Sequence, residues 1–257
     1  MSMVTAVING KACSARQGEF LLDVADRNDI AIPRLCHHES LRGLASCRLC
    51  LAEVSEGGRK RIVTSCVFPI TRDIEVETNT EDIKNMRKMI IGFMLAQTPD
   101  NEKILQFARE YGSAETARFS EEKGNNCVVC GLCVNACEEL GCGCLFTVNR
   151  GTTKKVAAPY EEPPEDCVGC GACAHVCPTG CIEIEETEFT RTIWGKAFEM
   201  INCSSCGKPF MPKAQYEYLA QKTDMPASPL CADCAQTALA KKYLLKPKYS
   251  LPAESGR

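Results

Sequence analysis

The sequence predicts an α+β protein made of several small domains, and three observations lead to that prediction. A chain of 257 residues usually divides into two or more domains. Its 20 cysteines fall into groups with regular spacing. Short alternating stretches that predict strands stand beside stretches of helical periodicity. We expect a domain at 1–78, a helical linker at 79–120, a second domain at 121–190, and a module with a tail at 191–257.

The first segment begins with a predicted hairpin and a helix. Val4–Ile8 alternates, Asn9-Gly10 is a typical hairpin turn, and Lys11–Ala15 forms the returning strand. Phe20–Ile30 has the apolar spacing of a short amphipathic helix, which Pro33 ends. Further short strands are predicted at Leu51–Val54, Arg61–Ser65 and Ile74–Glu77.

Four cysteines of this segment have the spacing C-x10-C-x2-C-x15-C, and they are Cys36, Cys47, Cys50 and Cys66. Three thiolates on one loop and one beyond a hairpin suit a [2Fe-2S] cluster in a ferredoxin-like half-open sheet crossed by one helix. A zinc ion is the alternative metal for such a set of four cysteines. His37 and His38 could replace a thiolate, but the four cysteines suffice, so we interpret both histidines as loop residues.

Residues 79–120 predict two helices. Thr80 is a capping residue, and Thr98-Pro99-Asp100 separates the first helix from the second. The apolar stripe expected to face the core comprises Ile83, Met86, Ile90, Phe93 and Met94 in the first helix, and Ile104, Leu105, Ala108 and Tyr111 in the second.

Residues 121–190 contain the spacing C-x2-C-x2-C-x3-C twice, with Pro178 after the second copy. This pattern predicts two [4Fe-4S] clusters, each of which takes its fourth thiolate from the other copy, because three thiolates of one turn leave the fourth corner out of reach. Disulfides or zinc would not explain the repeated spacing. The predicted ligands are Cys127, Cys130, Cys133 and Cys177 for one cluster, and Cys167, Cys170, Cys173 and Cys137 for the other.

Several residues of this segment fall outside the pattern. Cys142 and Cys144 could offer an alternative ligand or could simply be buried, and Cys181 is expected to be a packing residue. The connecting stretch 152–166, which contains three prolines, is predicted to be a surface excursion.

The last segment contains two C-x2-C pairs, Cys203/Cys206 and Cys231/Cys234. Two such pairs predict a tetrahedral four-cysteine site, for which structural zinc is preferred and a third [4Fe-4S] cluster is the rival. From Arg191 onward ten Lys/Arg stand against five Asp/Glu. We expect this module to dock on a neighbouring subunit, and a zinc-finger contact with nucleic acid is the less favoured alternative.

The motifs resemble a known family over residues 1 to about 190. Ile-Pro-Arg-Leu-Cys36, Ser-Cys47-Arg-Leu-Cys50 and Thr-Ser-Cys66 resemble the [2Fe-2S] domain of the large iron–sulfur subunit of respiratory complex I and of related subunits of NAD-linked hydrogenases and formate dehydrogenases. Those relatives usually carry a further [4Fe-4S] site with one histidine in the linker. Here no cysteine lies between Cys66 and Cys127, so that cluster is not expected, and the [2Fe-2S] site could lie on the main electron route or on a branch.

The resemblance implies a β-grasp, ferredoxin-like first domain and a bacterial-ferredoxin-like second domain, and the two C-x2-C pairs beyond it predict a zinc-ribbon-like end. It implies an electron-transfer subunit of a flavin-containing, NAD(P)-linked hydrogenase or formate dehydrogenase, which could be electron-bifurcating. The implied partners are a flavin/NAD(P)-binding subunit, a thioredoxin-like [2Fe-2S] subunit, a hydrogenase or formate dehydrogenase catalytic subunit, and ferredoxin.

No phosphate-binding glycine motif occurs in the chain, so we expect it to bind neither flavin nor NAD(P), and no catalytic constellation is present. The absence of a secretory signal and of a long apolar run predicts a cytoplasmic protein without membrane contact, working in an anaerobic or protected setting. The alternatives to a subunit are a free-standing polyferredoxin that carries electrons between partners, and an iron–sulfur sensor with a zinc finger.

Overall fold

The structure is a computed structural model that describes residues 2–113, 126–223 and 229–244. The chain forms two compact units, one of residues 1–166 with 171–183 and the other of 167–170 with 184–257. The predicted border at residue 120 and the tail from 245 lie outside the described residues. Within the described ranges, no helix is both long and apolar enough to cross a bilayer.

A five-stranded mixed sheet forms the start of the first unit. Its strand order is β2-β1-β5-β3-β4, in which β1 and β5 are parallel and the other neighbours are antiparallel. Helix α1, Leu21–Arg27, buries its apolar side chains against this sheet. The predicted hairpin, helix and strands are confirmed, with ends within a few residues: β1 Met3–Ile8, β2 Lys11–Arg16, β3 Leu51–Glu56, β4 Arg59–Thr64 and β5 Ile74–Glu77.

The two predicted linker helices are present as α2, Glu81–Gln97, and α3, Glu102–Tyr111. The side chains of Thr80 and Asn101 cap them by accepting hydrogen bonds from backbone N–H groups in the first turn.

The predicted stripe of α2 is partly wrong. Met86 and Phe93 are 42% and 45% exposed. Because apolar residues occupy most of the circumference of this helix, periodicity alone did not select the face that the tertiary contacts bury. The residues buried on α2 are Ile83, Arg87, Ile91, Gly92, Leu95 and Ala96.

The rest of the first unit consists of short elements. These are α4 Leu132–Glu139, β6 Phe146–Val148, β7 Lys155–Ala157 and α5 Ala172–His175. The stretch 152–166 is not entirely a surface excursion, since β7 pairs with β6 and Val156, Ala157 and Ala158 are buried.

The second unit is built on a four-stranded antiparallel sheet with the order β11-β10-β9-β8. Ile193 and Phe198 are among its buried apolar residues. Its elements are β8 Ile184–Glu186, β9 Thr190–Ile193, β10 Lys196–Asn202, β11 Pro209–Pro212, α6 Lys213–Lys222 and α7 Ala232–Leu244.

Candidate metal centres

The β3–β4 hairpin brings two of the first four cysteines together. Cys50 immediately precedes β3, and Cys66 lies in the turn that follows β4. The register of the hairpin places these ends side by side, and the N–H of Ser65 donates to the carbonyl of Cys50 at 2.9 Å. Cys36 and Cys47 come from the loop before β3, and the N–H of Cys47 donates to the sulfur of Cys36 at 3.2 Å.

All four of these cysteines are at most 6% exposed, and their thiols interact electrostatically in two pairs. The hydrogen bond with Cys36 lowers the pKa of Cys47 to about 6 and raises the pKa of Cys36. In the same way the hydrogen bond with Cys66 lowers the pKa of Cys50 to about 6 and raises the pKa of Cys66. Since the thiolate is the form that ligates metal, this buried set of four sulfurs fits a [2Fe-2S] cluster.

The loop around these cysteines approaches the backbone closely at Gly43. A Cβ atom at this position would lie 2.5 Å from the carbonyl oxygen of Cys66. Only glycine permits that approach without moving the turn that holds Cys66.

The first copy of the repeated motif folds as a turn followed by helix α4. Gly131 adopts a left-handed conformation (φ 84°) between Cys130 and the start of α4, which carries Cys133. Cys130 and Cys133 are 8% and 7% exposed, and burial raises the pKa of Cys130 to about 11 and that of Cys133 to about 12. Gly171 has the same role (φ 78°) at the start of α5, which carries Cys173.

Cys177 lies in the same unit as the first copy, and repulsion from it contributes to the raised pKa of both Cys130 and Cys133. Its place as the fourth ligand of that set stays a prediction. A fifth cysteine also lies there. Cys181 forms thiol hydrogen bonds with Cys177, at a sulfur–sulfur distance of 3.5 Å, and with Cys127, whose pKa it lowers.

Cys181 is therefore more than the packing residue expected from the sequence. The only sequence signal was its position four residues after Cys177, a spacing that a turn can close. Cys144 has a similar relationship to Cys137, since their sulfurs lie 3.4 Å apart and the hydrogen bond lowers the pKa of Cys137 to about 6.

The second predicted ligand set is divided between the two units. Cys137 and Cys173 belong to the first unit, and Cys167 and Cys170 belong to the second, so the assembly of this set stays a prediction. Within the second unit the turn at Cys167–Cys170 packs on the sheet: a Cβ at Gly169 would lie 2.6 Å from the Phe198 ring, and Lys196 donates to the carbonyl of Cys167 at 3.1 Å.

The loop that precedes Cys47 packs against the first copy of the repeated motif. Arg42 bonds the side chains of Glu138 and Asn135 at 2.7 and 3.2 Å. Cys47 and Cys130 are buried in the same hydrophobic cluster, and a charge at Cys47 contributes to the raised pKa of Cys130. Cys47 of the predicted [2Fe-2S] set and Cys130 of the first predicted [4Fe-4S] set are therefore buried in one hydrophobic cluster.

The two C-terminal pairs converge on one point. The sulfur atoms of Cys203, Cys206, Cys231 and Cys234 all lie within 4.8 Å of one another. Cys203 follows β10 and Cys234 lies on α7, and Gly207 (φ 72°) closes the first turn. The N–H of Cys231 donates to the sulfur of Cys203 at 3.3 Å and lowers the pKa of Cys203 to about 6. The predicted four-cysteine site is thus present.

Two family matches agree with these sites. Residues 1–81 match the family described as "2Fe-2S iron-sulfur cluster binding domain", and residues 161–183 match "4Fe-4S binding domain". Residues 1–81 and 161–183 are thus similar to iron–sulfur binding domains. The predicted resemblance to the iron–sulfur subunits of complex I and of NAD(P)-linked hydrogenases is confirmed by its curated relatives and the fold by a solved structure.

The alignments with these relatives cover most of the chain, but the relatives are much longer. The NADP-reducing hydrogenase subunit HndD of Solidesulfovibrio fructosivorans is 33% identical over 63% of the chain and 32% of its own length. The NADH-ubiquinone oxidoreductase 75 kDa subunit of Reclinomonas americana is 28% identical over 75% of the chain and 31% of its own length. The chain thus spans about a third of these relatives.

A solved structure shares the fold. It is titled "Crystal structure of NAD+-reducing [NiFe]-hydrogenase in the H2-reduced state", with a TM-score of 0.54 and 24% identity. The similarity covers 61% of this chain and 75% of that one.

Proposed function

We propose that this chain is an electron-transfer subunit of a multi-subunit, flavin-containing oxidoreductase linked to NAD(P), of the hydrogenase or formate dehydrogenase type. It would relay electrons between a flavin/NAD(P)-binding subunit and a catalytic subunit. The hydrogenase and complex I relatives support this assignment. The observation that carries it is the common core of Cys47 and Cys130, which belong to two different predicted clusters.

The shared hydrophobic cluster of Cys47 and Cys130 is relevant to the route that electrons would take between the predicted clusters. Iron–sulfur clusters supply one-electron transfer at low potential when bound. No cysteine lies between Cys66 and Cys127 in the sequence. The two helices of that stretch, α2 and α3, instead contribute apolar side chains to the hydrophobic cluster that contains Cys47 and Cys130; these are Ile91, Leu95 and Ile104. This favours a [2Fe-2S] site on the main route and not on a branch.

We assign the cluster ligands as the sequence predicts. Cys36, Cys47, Cys50 and Cys66 would hold a [2Fe-2S] cluster in a β-grasp domain. Two bacterial-ferredoxin-like halves would hold [4Fe-4S] clusters with crossed ligation, and their sets are Cys127, Cys130, Cys133 and Cys177, and Cys167, Cys170, Cys173 and Cys137.

Zinc is the proposed metal of the C-terminal site in a zinc-ribbon-like module. In a tetrahedral site with Zn–S bonds of about 2.3 Å, the four sulfur atoms lie roughly 3.8 Å from one another. The sulfurs of Cys206 and Cys231 are 3.8 Å apart. A cubane cluster interposes several iron and sulfide atoms, so its thiolates stand further apart than those around a single ion.

The proposal is tested by anaerobic purification from the native host, followed by mass spectrometry of the subunits that remain bound. We expect a flavin subunit, a thioredoxin-like [2Fe-2S] subunit and a hydrogenase or formate dehydrogenase catalytic subunit in a cytoplasmic complex. A chain that purifies alone and accepts electrons from ferredoxin-dependent enzymes would instead be a mobile carrier and would overturn the proposal.

A further inference from the structure

Arg87 is a fully buried arginine on α2, and it lies beneath the loop of Cys50. Its side chain is 0% exposed. Nε donates to the carbonyl of Leu49 at 2.9 Å and Nη2 donates to the carbonyl of Leu51 at 2.7 Å, so the guanidinium contacts the backbone on both sides of Cys50. Nη1 donates to Oδ1 of Asn79 at 3.0 Å.

These contacts hold the cysteine loop through its backbone. The planar, rigid guanidinium can reach two carbonyls at once, which the single ammonium of lysine does less well. Because the carbonyls of Leu49 and Leu51 are directed at one group, the backbone is held on both sides of Cys50. Arg87 thereby restricts the backbone from which the Cys50 side chain projects.

Among the described residues, no Asp or Glu oxygen lies within 4.0 Å of the Arg87 guanidinium, and its hydrogen-bond partners are the carbonyls of Leu49 and Leu51 and the amide oxygen of Asn79. Arginine remains protonated in proteins. Burial lowers the pKa of Arg87, and interactions with Tyr111, Cys50 and Glu110 oppose that effect.

A buried cation affects the redox equilibrium of a neighbouring anionic centre. A cluster held by four thiolates is negatively charged and gains one further negative charge when it accepts an electron. Net charge and hydrogen bonding near the sulfurs are the means by which a protein adjusts this potential. The effect of the guanidinium is large where water is excluded.

We propose that Arg87 is a positioning residue for the [2Fe-2S] site, which orients the Cys50 loop and raises the reduction potential of the cluster by placing a buried positive charge beside that loop. The inference rests on the proposed assignment of Cys36, Cys47, Cys50 and Cys66 to that cluster.

The test is an EPR-monitored redox titration of the full chain under anaerobic conditions, with dithionite as the reductant and the [4Fe-4S] signals as internal references. Arg87→Met should lower the [2Fe-2S] potential by the equivalent of a tenfold change in the reduction equilibrium, about 59 mV. Arg87→Lys, which retains the charge, should stay within about threefold of the parent. Lys88→Met removes an exposed charge from the same helix and should leave the potential unchanged.

The outcomes separate the two hypotheses. A parent protein without a [2Fe-2S] signal would refute the cluster assignment itself. A normal signal whose potential does not move in Arg87→Met, or moves as much in Lys88→Met, would overturn the inference about Arg87. If Arg87→Met fails to assemble the cluster, Arg87→Lys decides: retention of the cluster near the parent potential supports the proposal, and loss of the cluster or a tenfold change refutes it.

Discussion

The sulfur of Cys181 lies 3.5 Å from the sulfur of Cys177, and it also hydrogen-bonds Cys127. A predicted cluster ligand therefore has a second thiol beside it that could reach the same iron. We expect Cys177→Ala to retain most of its [4Fe-4S] content, whereas the double variant with Cys181→Ala should lose one cluster. Iron analysis and EPR of anaerobically prepared protein measure the difference. Equal losses in the single and double variants would contradict the prediction, and Cys13→Ala is a buried control.

In the proposed crossed ligation, Cys137 lies in the first copy of the motif but binds the cluster of the second copy. We expect Cys137→Ala to damage the cluster assigned to Cys167, Cys170 and Cys173, with loss of up to about four irons, and to spare the other. Mössbauer and EPR spectra would show which cluster is affected. Loss of the cluster assigned to Cys127 would refute the crossed arrangement.

The metal content of the whole chain distinguishes zinc from iron at the C-terminal site. We expect about ten irons and one zinc per chain. Cys206→Ala should remove the zinc without lowering the iron content, because its sulfur is one of the four that converge there. Elemental analysis by plasma mass spectrometry makes the measurement, and iron near fourteen without zinc would show a third [4Fe-4S] cluster.

Gly43 tests the packing around the [2Fe-2S] site. Gly43→Ala places a Cβ 2.5 Å from the carbonyl of Cys66 and should destabilise the fold by about 1–3 kcal/mol while lowering [2Fe-2S] occupancy. Visible absorption and thermal unfolding provide the measurement. The control is Gly57→Ala in the β3–β4 turn, where a Cβ meets nothing within 4 Å but the backbone has φ 56°. This control should cost some stability and leave occupancy intact, and equal occupancy losses would refute the packing argument.

The cysteine sites were predictable from the sequence because close spacing along the chain constrains geometry locally. Three residues separated by two others must share one turn, and a glycine such as Gly131 permits the left-handed backbone that the turn requires. The Asn9-Gly10 hairpin and the Thr80 cap are likewise decided by residues that are neighbours in the chain. The convergence of Cys203 and Cys231 could also be anticipated, since one metal needs both pairs.

Tertiary structure alone decided which face of α2 is buried and which distant residues meet. Met86 and Arg87 are adjacent, yet the methionine is 42% exposed and the arginine is fully buried. Helical periodicity indicates only how the apolar side chains are distributed around the helix. The burial of Arg87 is stabilised by hydrogen bonds to the carbonyls of Leu49 and Leu51, which lie about forty positions earlier in the chain. The burial of Cys47 and Cys130 in one hydrophobic cluster has the same origin. Spacing determines local turns, and the packing of separate segments determines the rest.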